Sequence, residues 1–361
     1  MSEKSEIRDV AERVRARFEK AGALAVDADV LQPAGTLLDL YGEDIRARAY
    51  VTTDPVRGEM MLRPDFTVPL VQMHLESVQK PMRYSYLGEV FRKQEYDVNR
   101  NPEHLQVGFE LLGHTARAET DAEVFALFYE ILSPLGFVPT IGDMGLLRTA
   151  VLGLETTDTR KAALMRHLWR PGRFKKLLRR FVGEGEERAE RAALLSLEDP
   201  LGSGVREIGK RSRGEVLDRI ARLRADADAP AISVVQADVL LEIAGLTETA
   251  PNVLSRLRDL TVDLPALVSA ADLFAARLDA LDAKGIAVDG LKVEGSFSRI
   301  TIEYYDGFVF AFADPSDPVA PPAATGGRYD ALTRVLGKGA DVPAVGGVIR
   351  PERLLAAGGA S

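Results

Sequence analysis

Between Met61 and Gly113 the chain sets Asp65, Arg92, Gln106 and Glu110 inside sequence that otherwise forms strands. Burying such groups is costly unless they pair with one another or meet a polar ligand. In HLQVGFELLG the period of two puts Gln106, Gly108 and Glu110 on one face and Val107, Phe109 and Leu111 on the other. One face of this strand therefore looks into a core and the other into a polar site, with Gly108 leaving room for a ligand to approach the sheet. MRYSYLGEVFRKQ supplies a partner strand across the polar loop YDVNRNPE. Asp65 stands at a helix start, where free N–H groups favour a carboxylate. The whole stretch reads as a small-molecule pocket lined from several strands.

The flanking sequence is mixed. Ile7, Val10, Val14 and Phe18 recur at helical spacing, and Leu37, Leu38 and Tyr41 do so again after Pro33. A strand around Ala49 to Thr52 and a turn at DPVRGEM lead into the pocket stretch. After a periodic helix at AETDAEVFALFYEIL, the pattern from residue 148 to 290 becomes rich in Ala, Leu, Arg and Glu with helical periodicity, which predicts a mainly helical insertion. Its cluster RKAALMRHLWRPGRFKKLLRRF suits either an RNA- or phosphate-binding surface or, with EGEERAE following at once, a solvated or partner-facing one. Residues 291–361 return to strands: SRITIEYYDGFVFAFAD reads as two paired strands about Asp306-Gly307, so Tyr304 and Tyr305 face opposite sides. ATGGRYDALTRVLG reads as a glycine turn able to cradle an anion with Arg328, followed by a helix. A last helix is expected from Pro351.

Several chemistries are disfavoured. A chain without cysteine has no disulfide framework, no thiolate metal site and no cysteine nucleophile, and with four histidines no zinc centre is expected. The net charge of −8 argues against polyanion binding as the main role. No apolar run approaches a membrane span, and a cytoplasmic location is expected. No phosphate loop, dinucleotide fingerprint or nucleophilic triad is present, so no cofactor, metal or catalytic residue is assigned. Acids such as Asp65 and Glu110 hold an ammonium or imidazolium, whereas Arg92 and Arg353 hold a carboxylate or phosphate. Together they suit a zwitterionic amino acid.

Ordered motifs then resemble class II aminoacyl-tRNA synthetases, specifically the histidyl-tRNA synthetase catalytic domain, over nearly all the chain outside the insertion. LRPDFT is similar to the family's LRPEGT, GEVFR carries its motif 2 arginine as Arg92, and QVGFELLG is similar to QxGxExxG. EYYDGFVFAF resembles the histidine-binding segment, GGRYDAL matches almost letter for letter, and AVGGVIRPERL is similar to motif 3. The resemblance implies an α+β fold, an antiparallel sheet flanked by helices, formed by residues 1–147 and 291–361 and interrupted by the helical insertion 148–290. It also implies a histidine site made by Asp65, Thr67, Arg92, Gln106, Glu110 and Tyr305, with Arg353 and Arg328 as anion or ligand contacts, and self-association through Pro33 to Tyr41.

The departures point away from amino-acid activation. Gln94 stands where motif 2 has an acid, with Glu95 one place on; Pro102 replaces a nucleotide-binding arginine; Ile300 replaces the catalytic arginine, with Arg299 out of register. On a strand a one-residue shift points a side chain to the opposite face. Arg350 and Pro351 stand where small residues normally admit ATP, and the sequence ends eight residues after Arg353, where the family's anticodon-binding domain begins, so no anticodon-binding domain is expected. Losing arginines that stabilise developing phosphate charge removes roughly several kcal/mol of transition-state stabilisation while leaving amino-acid contacts in place. Those losses resemble the synthetase paralogues that act as regulatory subunits of ATP phosphoribosyltransferase. That resemblance implies a non-catalytic subunit whose partner is the short-form catalytic subunit, with histidine as feedback effector and a dimer within a hetero-oligomer. A truncated histidyl-tRNA synthetase-like activating enzyme is the alternative, and no nucleic acid or membrane partner is expected.

Overall fold

The computed structural model describes residues 3–41, 44–77, 81–93, 101–184, 189–202, 211–295 and 304–358. Gln94, Glu95, Arg299 and Ile300 lie outside them. The described strands are β1 (Leu24–Ala25), β2 (Leu31–Pro33), β3 (Val51–Asp54), β4 (Gly58–Leu62), β5 (Met82–Phe91), β6 (Glu103–Leu112), β7 (Val138–Asp143), β8 (Thr247–Thr249), β9 (Lys292–Glu294), β10 (Phe308–Ala313), β11 (Ala324–Arg328) and β12 (Ala344–Ile349). Among the described residues, nine form one sheet in the order β1-β5-β6-β12-β11-β10-β7-β9-β8, and β2-β4-β3 form a second. Pairing in the large sheet is antiparallel except at β1–β5 and β7–β9. This is the expected α+β sheet flanked by helices.

Period-two alternation explains the layering. Phe109 of β6 and Phe308, Phe310 and Phe312 of β10 point to one side of the sheet, the back, where they meet Phe18 of helix Glu3–Lys20 and Phe125 and Phe128 of helix Arg117–Leu132. The rings are tilted or edge-on, at centroid separations of 5.3 to 6.1 Å. The front face carries Tyr84 and Tyr86 of β5 opposite Glu110 and Gly108 of β6. Helix Thr67–Ser77 packs there through His74, whose Nδ1 lies 2.9 Å from the Tyr84 hydroxyl.

Two strand expectations are corrected. Both edges of Phe308–Ala313 are taken, by β7 on one side and β11 on the other, and residues 298–303, in the other half of the expected strand pair, lie outside the described residues. Tyr304 and Tyr305 stand in a non-strand segment preceding it. Gly326 and Gly327 lie within β11, not in a turn. A Cβ on Gly326 would sit 2.2 Å from the Phe310 ring and one on Gly327 would sit 2.8 Å from the Tyr305 ring, so these glycines admit neighbouring rings and not an anion.

The chain divides into two compact units. One comprises residues 1–145, 247–254 and 272–361, the other 146–246 and 255–271. Residues 247–254 and 272–290, read from the sequence as insertion, cluster with the sheet because β8 pairs with β9 and Arg277 is ion-paired to Asp121 and Asp143. In the second unit, helix Pro171–Val182 buries Phe174, Leu178 and Phe181 and exposes Arg173, Lys175, Lys176 and Arg179. Arg160, counted in the basic cluster, is instead buried and bonded to Asp226 at 2.7 Å. No described helix is long and apolar enough to cross a membrane.

Candidate functional site

Glu110 is the centre of the front face. Its carboxylate is 1% exposed and accepts hydrogen bonds from Tyr329 (2.6 Å), Thr67 (3.1 Å) and Tyr86 (3.4 Å) hydroxyls. Two glycines make the space. A Cβ on Gly346, its cross-strand partner, would lie 1.6 Å from Glu110 Oε2, and a Cβ on Gly108 would lie 2.1 Å from the Tyr86 ring. Gly108 was expected to let a ligand approach the sheet; the Tyr86 ring occupies that space instead.

Burial pushes the Glu110 pKa up from its ordinary value to about 8; the three hydroxyls oppose this and the nearby Asp65 adds to it. The same burial, with Glu110 alongside, raises the pKa values of Tyr86, Tyr305 and Tyr329, so these phenols remain donors at neutral pH. The site is a protonatable carboxyl surrounded by neutral hydroxyls. Such a group meets a neutral donor when protonated and a cation when ionised.

Five segments deliver these groups. Asp65 and Thr67 begin helix Thr67–Ser77, where Asp65 accepts the Val68 N–H at 3.3 Å and is itself buried. Tyr86 comes from β5, stacked at 4.4 Å on Phe66, which in turn lies 4.0 Å beneath the Arg63 guanidinium. Gln106 and Glu110 share the front of β6, Gln106 being 3% exposed. Tyr304 donates to Thr67 Oγ1 at 3.1 Å, and its ring meets that of Tyr305 edge-on at 4.9 Å. Tyr329 follows β11 directly. Both Tyr304 and Tyr305 thus lie on the site side, which the strand reading had excluded; they do so because their segment is free of a strand's alternation.

Arg92 donates its Nε to the Pro64 carbonyl at 2.9 Å, next to Asp65, and its N–H to Pro102. Arg328, expected as an anion or ligand contact, points to the back of the sheet. There it bonds Asp121 (2.9 Å), Thr120 (2.8 Å) and Asp330 (3.1 Å), because its place in β11 alternates away from Gly327. Arg353 lies 3.7 Å from Asp314 and 3.6 Å from Asp317, the residues following β10. Tyr86 and Tyr329 were not anticipated. Their signals were a glycine facing an aromatic across a strand pair, and the tyrosine within GGRYDAL. Among the described residues no group of three or more His, Asp or Glu side chains suits a metal ion.

Residues 2–227 and 215–354 match the family model described as histidyl-tRNA synthetase. The chain is 30% identical over 393 residues to a protein of Mesorhizobium japonicum named ATP phosphoribosyltransferase regulatory subunit, spanning 96% of each. It is 30% identical over 379 residues to one of the same name from Rhizobium meliloti, spanning 95% of this chain and 96% of that one. Among solved structures, an ATP phosphoribosyltransferase regulatory subunit/histidyl-tRNA synthetase from Bacillus halodurans shares the fold at a TM-score of 0.68 and 19% identity, over 99% of this chain and 80% of that one.

Proposed function

Because the chain belongs to the ATP phosphoribosyltransferase regulatory subunit family, built on the histidyl-tRNA synthetase fold, we propose that it partners the short-form catalytic subunit of that enzyme. In that role it supports the first step of histidine biosynthesis and carries feedback control by histidine, without activating amino acids itself. The observation that carries the reading is the near full-length match to regulatory subunits on both sides of the comparison. The retained front-face site supports it: Asp65, Thr67, Arg92, Gln106, Glu110 and Tyr305 remain together or adjacent, with Tyr86, Tyr304 and Tyr329 completing the wall.

Chemically, an amino acid's ammonium fits the Asp65 carboxylate, and an imidazole fits Glu110 and the tyrosine hydroxyls. Arg350 supports the loss of the nucleotide half. Its guanidinium donates to the Pro322 carbonyl at 2.6 Å and its N–H to Ala323, tying the motif 3 position to the β10–β11 connection. The test is co-purification with the short catalytic subunit, followed by calorimetry with histidine and a histidine-dependent pyrophosphate exchange assay. Complex formation, histidine binding and no exchange are expected; exchange at synthetase-like rates would establish the activating enzyme instead.

A further inference from the structure

Behind the sheet, opposite Glu110, five charged side chains are buried together: Asp121 at 0% exposure, Arg277 at 1%, Arg328 at 3%, Asp330 at 4% and Asp143 at 5%. Arg277 donates Nε to Asp121 and Nη1 to Asp143, each at 2.8 Å, and its guanidinium lies 4.8 Å from the Phe308 ring centroid. The second Asp121 oxygen takes Arg328 at 2.7 Å, and Arg328 also reaches Asp330. The half-exposed Arg117 adds a third cation, 3.0 Å from Asp330. Burying ions costs several kcal/mol each, and apolar side chains of similar volume often stabilise a fold as well. Stability alone therefore gives no reason for so many charges.

The network does have a structural connection to the front face. Arg328 and Asp330 flank Tyr329, the residue whose hydroxyl is 2.6 Å from Glu110. Asp306, immediately after Tyr305, donates its N–H to the Arg328 carbonyl at 3.0 Å and accepts the Ala331 N–H at 3.0 Å. Asp143 accepts the Gly145 N–H at 2.7 Å, while Met144 donates to the Gly307 carbonyl at 2.8 Å. Two of the segments that bring tyrosines to the front, 304–305 and 329, thus leave from one ionic knot.

We propose that Arg277 is a positioning residue for the ligand site: by holding Asp121 and Asp143 from behind, it fixes Arg328, and so places the Tyr329 hydroxyl on Glu110 and Tyr304 on Thr67. This rests on the reading of the front face as the histidine site. The groups facing Glu110 are Asp65, Thr67, Tyr86, Tyr305 and Tyr329, so displacement of the tyrosine wall alters both ligand affinity and the proton affinity of Glu110.

The test compares wild type, Arg277→Met, Arg277→Lys and Asp143→Asn in the full chain. Circular dichroism establishes folding, histidine calorimetry between pH 6 and 9 gives affinity, and carbon NMR of labelled glutamate follows the Glu110 titration. Arg277→Met is expected to lose roughly tenfold in histidine affinity and to move the Glu110 midpoint, with Arg277→Lys recovering part of both. A folded Arg277→Met with wild-type affinity and an unchanged Glu110 midpoint overturns the proposal. Should Arg277→Met not fold, Asp143→Asn, which leaves the Asp121 bond in place, is read by the same two criteria. Should wild type not bind histidine, the effector reading fails by itself, and the Glu110 midpoint alone decides: a shift supports positioning, no shift refutes it.

Discussion

Replacing Glu110 by glutamine is expected to flatten the alkaline side of the stability profile. In the folded chain the carboxyl has a pKa of about 8, against an ordinary 4.5. Between those values the folded state keeps a proton that the unfolded state has released, so stability is fully present below 4.5 and falls as pH rises through 8. Each pH unit in that window is worth up to about 1.4 kcal/mol, so moving from pH 6 to 8 costs wild type on the order of 2 kcal/mol from this group. Glutamine keeps one acceptor oxygen, for Tyr329 on one side or for Thr67 and Tyr86 on the other, and has no proton to release. At pH 6 the substitution is expected to cost about 1 kcal/mol, because its N–H donors must be accommodated among those hydroxyls. Urea unfolding midpoints at pH 6, 7 and 8 for both proteins measure this. An identical pH dependence in the two would show that Glu110 is ionised in the folded state, refuting the hydroxyl-caged, protonatable carboxyl.

Other perturbations separate the parts of the molecule. Gly346→Ala puts a Cβ against Glu110 and the Phe109 carbonyl, and is expected to cost about 3 kcal/mol by thermal unfolding, the upper part of the overpacking range. His74 is buried and its pKa is held below the ordinary value by that burial, so it favours the neutral form. Its contribution is present above about pH 6.5 and lost as pH falls; His74→Phe should reduce the acid-side loss in a pH-dependent melt. Asp121→Ala leaves Arg277 and Arg328 each short of a buried partner and is expected to lower stability by about 3–5 kcal/mol. Lys175→Glu and Lys176→Glu, on the exposed side of helix Pro171–Val182, are expected to change stability by no more than about 0.5 kcal/mol.

The front face was legible where the period of two governs. Gln106 and Glu110 against Phe109 and Leu111 required only that the segment be one strand, and the aromatic back layer follows from the same alternation. What the sequence did not disclose depends on partners distant along the chain. The GG pair carries no local mark distinguishing a turn from a strand against which Phe310 and Tyr305 pack. Arg328 looked available because Asp121, more than two hundred residues earlier, is adjacent only once β10, β11 and β12 are assembled over helix Arg117–Leu132. Tyr304 and Tyr305 were separated by a strand periodicity that their segment does not have. Residues 272–290, read from composition as part of an insertion, cluster with the sheet, and the mark of this in the sequence is one arginine within a helix of ordinary pattern.

The most direct test of the account is the rate of the short-form phosphoribosyltransferase catalytic subunit, measured with and without this chain and across a histidine titration. Activation by the chain, with histidine inhibition that Glu110→Gln weakens, is the expected result. A catalytic subunit equally active and equally inhibited in its absence would contradict the central claim.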